Sequence, residues 1–208
     1  MTSKKRIPKG QINKKNSDTI KALQNLMKDL NQKVSIRVGI IGDKAREKHP
    51  DSDITNAQLG AIHEFGADIQ VTDKMRGYFW HKWGIHLSKK IIHIPARSFL
   101  RETLLSPQGK EELLERAGLD DDRELNKELV KYKLMQDSNF FLALCEQIGM
   151  KAVEMIQTAF YVGGRPKEWQ KITEFTKANR KNDPESPPLT DSGQLRDSIT
   201  YQIKEHKK

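Results

Sequence analysis

The sequence predicts an α+β fold, a small antiparallel sheet packed against a long amphipathic helix, with a flexible N-terminal arm and an aromatic, basic flap. Three observations carry the prediction. In KVSIRVGII, Val34, Ile36, Val38 and Ile40 alternate with other residues, the period of a strand with one buried face. Ile199, Tyr201 and Ile203 alternate in the same way far along the chain. Before that closing strand, FFLALCEQIGMKAVEMIQTAF repeats Phe141, Cys145, Ile148, Ala152, Met155 and Ala159 every three or four residues, so one helix face is apolar.

The elements follow in order. Residues 1–16, MTSKKRIPKGQINKKN, read as a basic arm that is disordered or ordered by a partner, ahead of one α+β domain over 17–208. Ser17 is placed to N-cap a helix with Ile20, Leu23, Met27 and Leu30 on one face. After the first strand, Gly42-Asp43 makes the turn and KAREKHPDSD is a polar loop. Thr55 and Gln58 have capping-box spacing, which starts a short helix through Leu59, Ile62 and Phe65; Gly66 is placed to end it with a left-handed residue. The flap, about 70–95, contains MRGYFWHKWGIHLSKKIIHI and reads as a β-hairpin or an extended excursion that Pro95 ends. ARSFLRETLL is a short helix stopped near Pro107, and 108–135 is an acidic helical segment leading into the long helix. GGRP at 163–166 breaks that helix, a polar segment bears Trp169, Ile172 and Phe175, and KNDPESPP is a linker. Asp191 and Gln194 are spaced as N-cap and N3 of one turn before the closing strand. The sequence has no internal repeat and no heptad array.

Composition narrows the class. With 36% apolar residues and a mean hydropathy of −0.75, one copy buries a modest core, which favours an oligomer or a larger assembly. No apolar run reaches the roughly 20 residues of a membrane span, and the N-terminus is too polar for a signal peptide. A single cysteine excludes an internal disulfide framework and suits a reducing compartment. A soluble, intracellular protein is the expectation. Six positive charges of the net +9 lie in residues 1–15, which carry no acid. Residues 74–101 hold seven Lys or Arg and again no acid, whereas 110–128 hold eight acids against four bases. Such asymmetry serves electrostatic docking, faces nucleic acid, or is merely a solvated surface.

His63-Glu64 is half of a zinc-protease signature, in which two histidines four residues apart flank the glutamate on one helix face. Ala67 stands where the second histidine belongs, and Gly66 interrupts the helix before that turn. Cys145 occupies an apolar helix position and reads as a small hydrophobe. Ser192-Gly193 lacks the G-x-S-x-G frame, and the GGRP stretch lacks the ending of a phosphate loop. Neither a catalytic residue, a metal ligand nor a cofactor site is expected, and the chain reads as a non-enzyme. In the flap, Tyr78, Phe79, Trp80 and Trp83 interleave with Lys74, Arg76, Lys82, Lys89 and Lys90. The aromatics suit a protein interface, nucleic-acid stacking or plain packing, and the bases suit DNA or a partner surface.

Three stretches, LGAIHEFGA (59–67), GIHLSKKIIHIPARSFLR (84–101) and LTDSGQLRDSITYQI (189–203), together resemble the virion-morphogenesis, or tail-completion, proteins of Mu-like and P2-like phages. That family has a HEFG turn, an IPARxFL element, a late tryptophan and an L-[IT]-D-[ST]-G-x-L-x-x-S-I segment in the same order. The residues carrying the resemblance are His63, Glu64, Phe65, Gly66, Pro95, Ala96, Arg97, Phe99, Leu100, Trp169, Leu189, Asp191, Ser192, Gly193 and Leu195. It covers about residues 33–204. Ser98 stands where proline is frequent, and the acidic segment is longer than a minimal member needs. The roles expected are fold-making: Phe65 plugging the core, His63 and Glu64 satisfying backbone or a neighbouring chain, Phe99 and Leu100 burying the next helix, Arg97 bridging carboxylates, Asp191 capping. The resemblance implies a virion structural protein at the head–tail junction, a tail terminator, neck or head-closure subunit assembled in the host cytoplasm. Its implied partners are its own copies in a ring, commonly hexameric, the tail tube or sheath, and the head connector, with passing DNA in the lumen and no membrane. A DNA-binding accessory factor of the neck is the alternative.

Overall fold

The computed structural model describes residues 34–49, 52–117, 138–180 and 182–205. The basic arm, the helix expected from Ser17 and most of the acidic segment lie outside the described residues. The fold is α+β, and the described residues form two two-stranded antiparallel sheets. Strand β1, Val34–Ile40, pairs along its whole length with β4, Ile199–Glu205, in the register Ile36↔Ile203, Val38↔Tyr201 and Ile40↔Ile199. The two alternating stretches thus find each other and turn Val38, Ile40 and Ile199 toward the core.

Helix α1, Asp43–Arg46, occupies part of what reads as loop, entered through Gly42 at φ 68°. Helix α2, Asn56–Phe65, starts as its capping box predicts: Thr55 Oγ1 accepts from Gln58 N, and Gln58 Oε1 accepts from Thr55 N. Gly66 ends it at φ 76° and ψ 168°, a positive φ but not the left-handed helical cap expected. A Cβ there would lie 2.9 Å from the Ile94 carbonyl oxygen.

The face α2 buries is not its large apolar stripe but Asn56, Gly60 and Glu64, spaced four apart. Gly60 explains the choice, because a Cβ there would meet Ile40 Cδ1 at 2.4 Å. Only a bare backbone lets the helix lie this close to β1. One consequence is a correction. Phe65 does not plug the core; it is 64% exposed, with the Arg101 guanidinium 4.5 Å from its ring centre.

The long helix, here α6, runs Ser138–Val162 and buries Cys145, Ala152, Met155, Ile156, Ala159 and Phe160. It crosses both β1 and β4, and Gly149 fits against the Tyr201 ring where a Cβ would clash at 2.3 Å. Burial raises the Cys145 thiol pKa, so it behaves as a hydrophobe. Before α6 stand α4, Arg101–Leu105, and α5, Pro107–Arg116, with Pro107 opening α5 instead of merely stopping α4. After it come α7, Glu174–Ala178, and the single turn α8, Gln194–Asp197. Among the described residues no helix is long and apolar enough to cross a membrane.

The flap departs most from expectation. It is neither a hairpin nor extended throughout. Short strands β2, Ala67–Gln70, and β3, Ile91–Ile94, pair at its base, and helix α3, Asp73–Trp83, fills its middle. Thr72 Oγ1 accepts from Met75 N to start α3, and Gly84, at φ 66° and ψ 20°, ends it. Pro95 follows β3 directly, as the sequence predicts.

Candidate functional site

Residues of the three motif stretches converge on one joint between α2, the 95–101 segment and the loops either side of α7. Its centre is Glu64. The Oε1 atom accepts from Ser98 Oγ at 2.6 Å, Arg101 N at 3.0 Å and Arg101 Nε at 2.9 Å. The Oε2 atom accepts from Phe99 N and Leu100 N, both at 2.9 Å. Helix α4 has no side-chain cap of its own at Leu100. A carboxylate from a different helix takes that role, meeting free N–H groups where the helix dipole also favours negative charge. Burial alone would raise the Glu64 pKa, but the Ser98, Leu100 and Arg101 donors outweigh it and hold the carboxyl below its ordinary range.

His63 sits beside this joint with a different task. Its backbone oxygen accepts from Arg97 N at 2.6 Å, tying α2 to the segment after Pro95. Its ring is largely buried, and Nδ1 has no hydrogen-bond partner among the described residues. Burial, then the positive charge of Arg97 and then His49, push the ring's pKa down to about 4. The folded chain therefore binds this proton more weakly than the unfolded chain, whose histidine titrates near 6.5. Stability carried by neutral His63 is complete above about pH 6.5 and is lost as pH falls toward 4, by about 3 kcal/mol at 1.36 kcal/mol per pKa unit. Urea midpoints measured from pH 7 to 4 should fall across this window, and His63→Phe should flatten the slope. Glu64, with its pKa lowered, adds a further loss below about pH 4.3.

Arg97 is the second correction. Among the described residues it pairs with no carboxylate; it is buried, its Nε donates to the Gln170 carbonyl at 3.1 Å, and desolvation and then Arg180 lower its pKa. The guanidinium thus pins the strand of chain next to Trp169. Trp169 itself packs edge-on against Phe160 at 5.5 Å, and Phe160 against Phe99 at 5.2 Å. Phe99, Trp169 and Leu195 are buried in one cluster that Leu100 and Leu189 border. The three separated stretches therefore share one core.

Asp191 is the third correction. It does not cap α8, whose N-cap is Gly193 at φ 73° with no side-chain cap. Asp191 Oδ1 instead accepts from Asn182 N at 3.1 Å, and Ser192 Oγ accepts from Gln194 N at 3.3 Å. These contacts close a loop that reads as a linker, with Arg180 donating to Ser186 Oγ and the Pro187 carbonyl. Leu189 within it holds φ 68°, an uncommon conformation for a non-glycine residue. Sequence reasoning missed the pairing of Asn56 with Gln194, which meet at 2.9 Å and lock α2 to α8, and the roles of Arg101, which donates to the Glu64 carboxylate and carbonyl, and Arg180, which donates to Ser186 Oγ and the Pro187 carbonyl. No local pattern signals such long-range partners. Pro95 and Ala96 border the joint, and Ala96 N lies 3.0 Å from where a Cβ on Gly66 would stand.

The flap residues gather separately. Tyr78, Phe79 and Trp83 pack ring to ring, and Phe79 and Trp83 reach Phe175 of α7 at 6.2 and 5.4 Å. Trp80 lies against His86 at 4.1 Å. Arg76 folds back onto the Leu87 and Lys89 carbonyls and braces the returning chain, so it is not a free surface cation. Lys74, Lys82, Lys89 and Lys90 are exposed.

Among the described residues, no three His, Cys, Asp or Glu side chains group so that they could hold a metal ion. Ala67 begins β2 instead of completing a histidine pair. Comparison with family models, curated proteins and solved structures returns no match for this chain.

Proposed function

We propose that the chain is a non-enzymatic structural subunit of a phage virion, located at the head–tail junction. Copies assemble as a ring that terminates or completes the tail and meets the head connector. The supporting observation is the Glu64 joint. The residues by which the chain resembles tail-completion proteins are wired to one another through Glu64, Arg97, Phe99 and Trp169, so they serve one rigid scaffold. Both Glu64 oxygens are occupied by that wiring, which removes the glutamate from acid–base work on a substrate. A shape-conserving role fits a molecule that works by presenting surfaces to neighbours.

Phage particles grown with this chain tagged, viewed by electron microscopy, test the reading. Label at the neck or tail end is expected, and a knockout should leave heads and tails unjoined. Label absent from mature particles, together with a normal yield of joined virions, overturns it. The exposed lysines of the flap support one other reading, a DNA-binding accessory factor. Binding to duplex DNA that falls steeply with salt, by roughly one unit of log–log slope for each phosphate contacted, would favour that alternative.

A further inference from the structure

We infer that the outward stripe of α3 docks onto α5 of a second copy of this chain. This inference rests on the ring reading and names the contact that builds the ring. Lys74, Tyr78 and Lys82 are spaced four apart, one row about 12 Å long on α3. Tyr78 in this row is 52% exposed, and Lys82 Nζ donates to its hydroxyl at 2.9 Å. Lys74 makes no hydrogen bond or ion pair among the described residues. The nearest acid on α3, Asp73, is 3.8 Å from Arg76. The surface is aromatic and positively charged, the composition of an interface anchor.

A surface of opposite character lies on the same molecule. On α5, Gln108, Glu111 and Glu115 form a row about 10 Å long. Together with Glu112 and Arg116 they line an open depression of about 660 Å³. Glu112 and Arg116 are satisfied by each other, by Arg165 and by Glu154. Glu111 and Glu115 have no partner among the described residues. Two like charges one helical turn apart repel, a small cost that an arriving cation removes. Leu114, 47% exposed and three residues after Glu111 on α5, adds an apolar side chain next to the row. Lys74 and Lys82 match Glu111 and Glu115 in sign, and the exposed Tyr78 ring offers apolar surface to Leu114. Because the two patches differ, the contact is heterologous and runs head to tail from copy to copy, as a closed ring requires.

Charge reversal tests this on the full chain. Lys74→Glu with Lys82→Glu makes both faces acidic, and Glu111→Lys with Glu115→Lys makes both basic. Native mass spectrometry should show each variant alone needing at least tenfold higher concentration to assemble than the wild type. Mixing the two variants should restore assembly, because each then offers the face the other lacks. Wild-type assembly by either variant alone, or failure of the mixture to recover, overturns the contact while leaving the ring reading intact. A wild-type chain that stays monomeric even at millimolar concentration overturns both. Loss of duplex-DNA binding by the lysine variant with assembly unchanged assigns the stripe to nucleic acid and overturns the contact.

Discussion

Phe99→Ala is expected to lower the stability of the fold by about 3–5 kcal/mol, read as a fall in the urea midpoint with an unchanged slope. Phe99 is fully buried. Its ring meets Phe160 of α6 edge-on, and it belongs to the cluster that holds Trp169, Leu195 and Ile199. Removing it deletes a large buried surface and leaves a cavity that cannot close easily, because β1, α6 and the Trp169 loop are each fixed elsewhere. Such a loss is a large fraction of the about 5–15 kcal/mol that keeps a typical domain folded. Soluble yield should fall accordingly. An Ala variant within about 1 kcal/mol of the wild type would contradict the packing described.

Glu64→Ala is expected to cost about as much, about 3–5 kcal/mol, by a different mechanism. The substitution strands the N–H groups of Phe99, Leu100 and Arg101 and the Ser98 hydroxyl, and each buried donor left unpaired costs about 1–3 kcal/mol. Glu64→Gln keeps the shape and one carbonyl acceptor, and should cost roughly half as much, since charge-assisted bonds are about twice as strong as neutral ones. Ser98→Ala removes one donor to Glu64 and the acceptor of the exposed Glu102 N–H, and should cost about 1 kcal/mol. The order Ala worse than Gln worse than Ser98→Ala, measured by chemical denaturation, is the diagnostic. If Glu64→Gln retained full stability, shape and not charge would be holding the joint. Breaking the joint should also expose the 95–105 segment to proteolysis before global unfolding.

Sequence made some of this legible, and the reasons are local. A period of two identified β1 and β4, because each buries one face along its whole length. The capping box identified α2, because Thr55 and Gln58 satisfy each other without help from the rest of the chain. Helix α3 was illegible: its aromatics do not form a buried stripe, and the Thr72 cap and the Gly84 terminator were the signals available. The polarity of α2 was also misread. Apolar size pointed Phe65 inward, whereas close approach at Gly60 selected the narrow Asn56–Gly60–Glu64 face. The Glu64 site was visible only as an unusual dipeptide. Its donors lie 34 to 37 residues away, and no spacing rule within one helix reports them. The corrected role of Arg97 shares this cause, since its acceptor lies 73 residues away, whereas Asp191 binds backbone nine residues back in its own loop.

The pairing of β1 with β4 bears on how the chain is made. A ribosome that has synthesised β1 must add more than 150 further residues before its partner strand exists. Until then the emerging chain carries Ile36, Val38 and Ile40 without their cross-strand neighbours, and the cluster around Phe99 lacks Leu195 and Ile199. The order of synthesis therefore leaves the core to close last, after translation has passed residue 205, with a long loop to be ordered in that step. Translation stalled upstream of Leu195 should leave a nascent chain that engages chaperones, and release from them should coincide with emergence of the final strand.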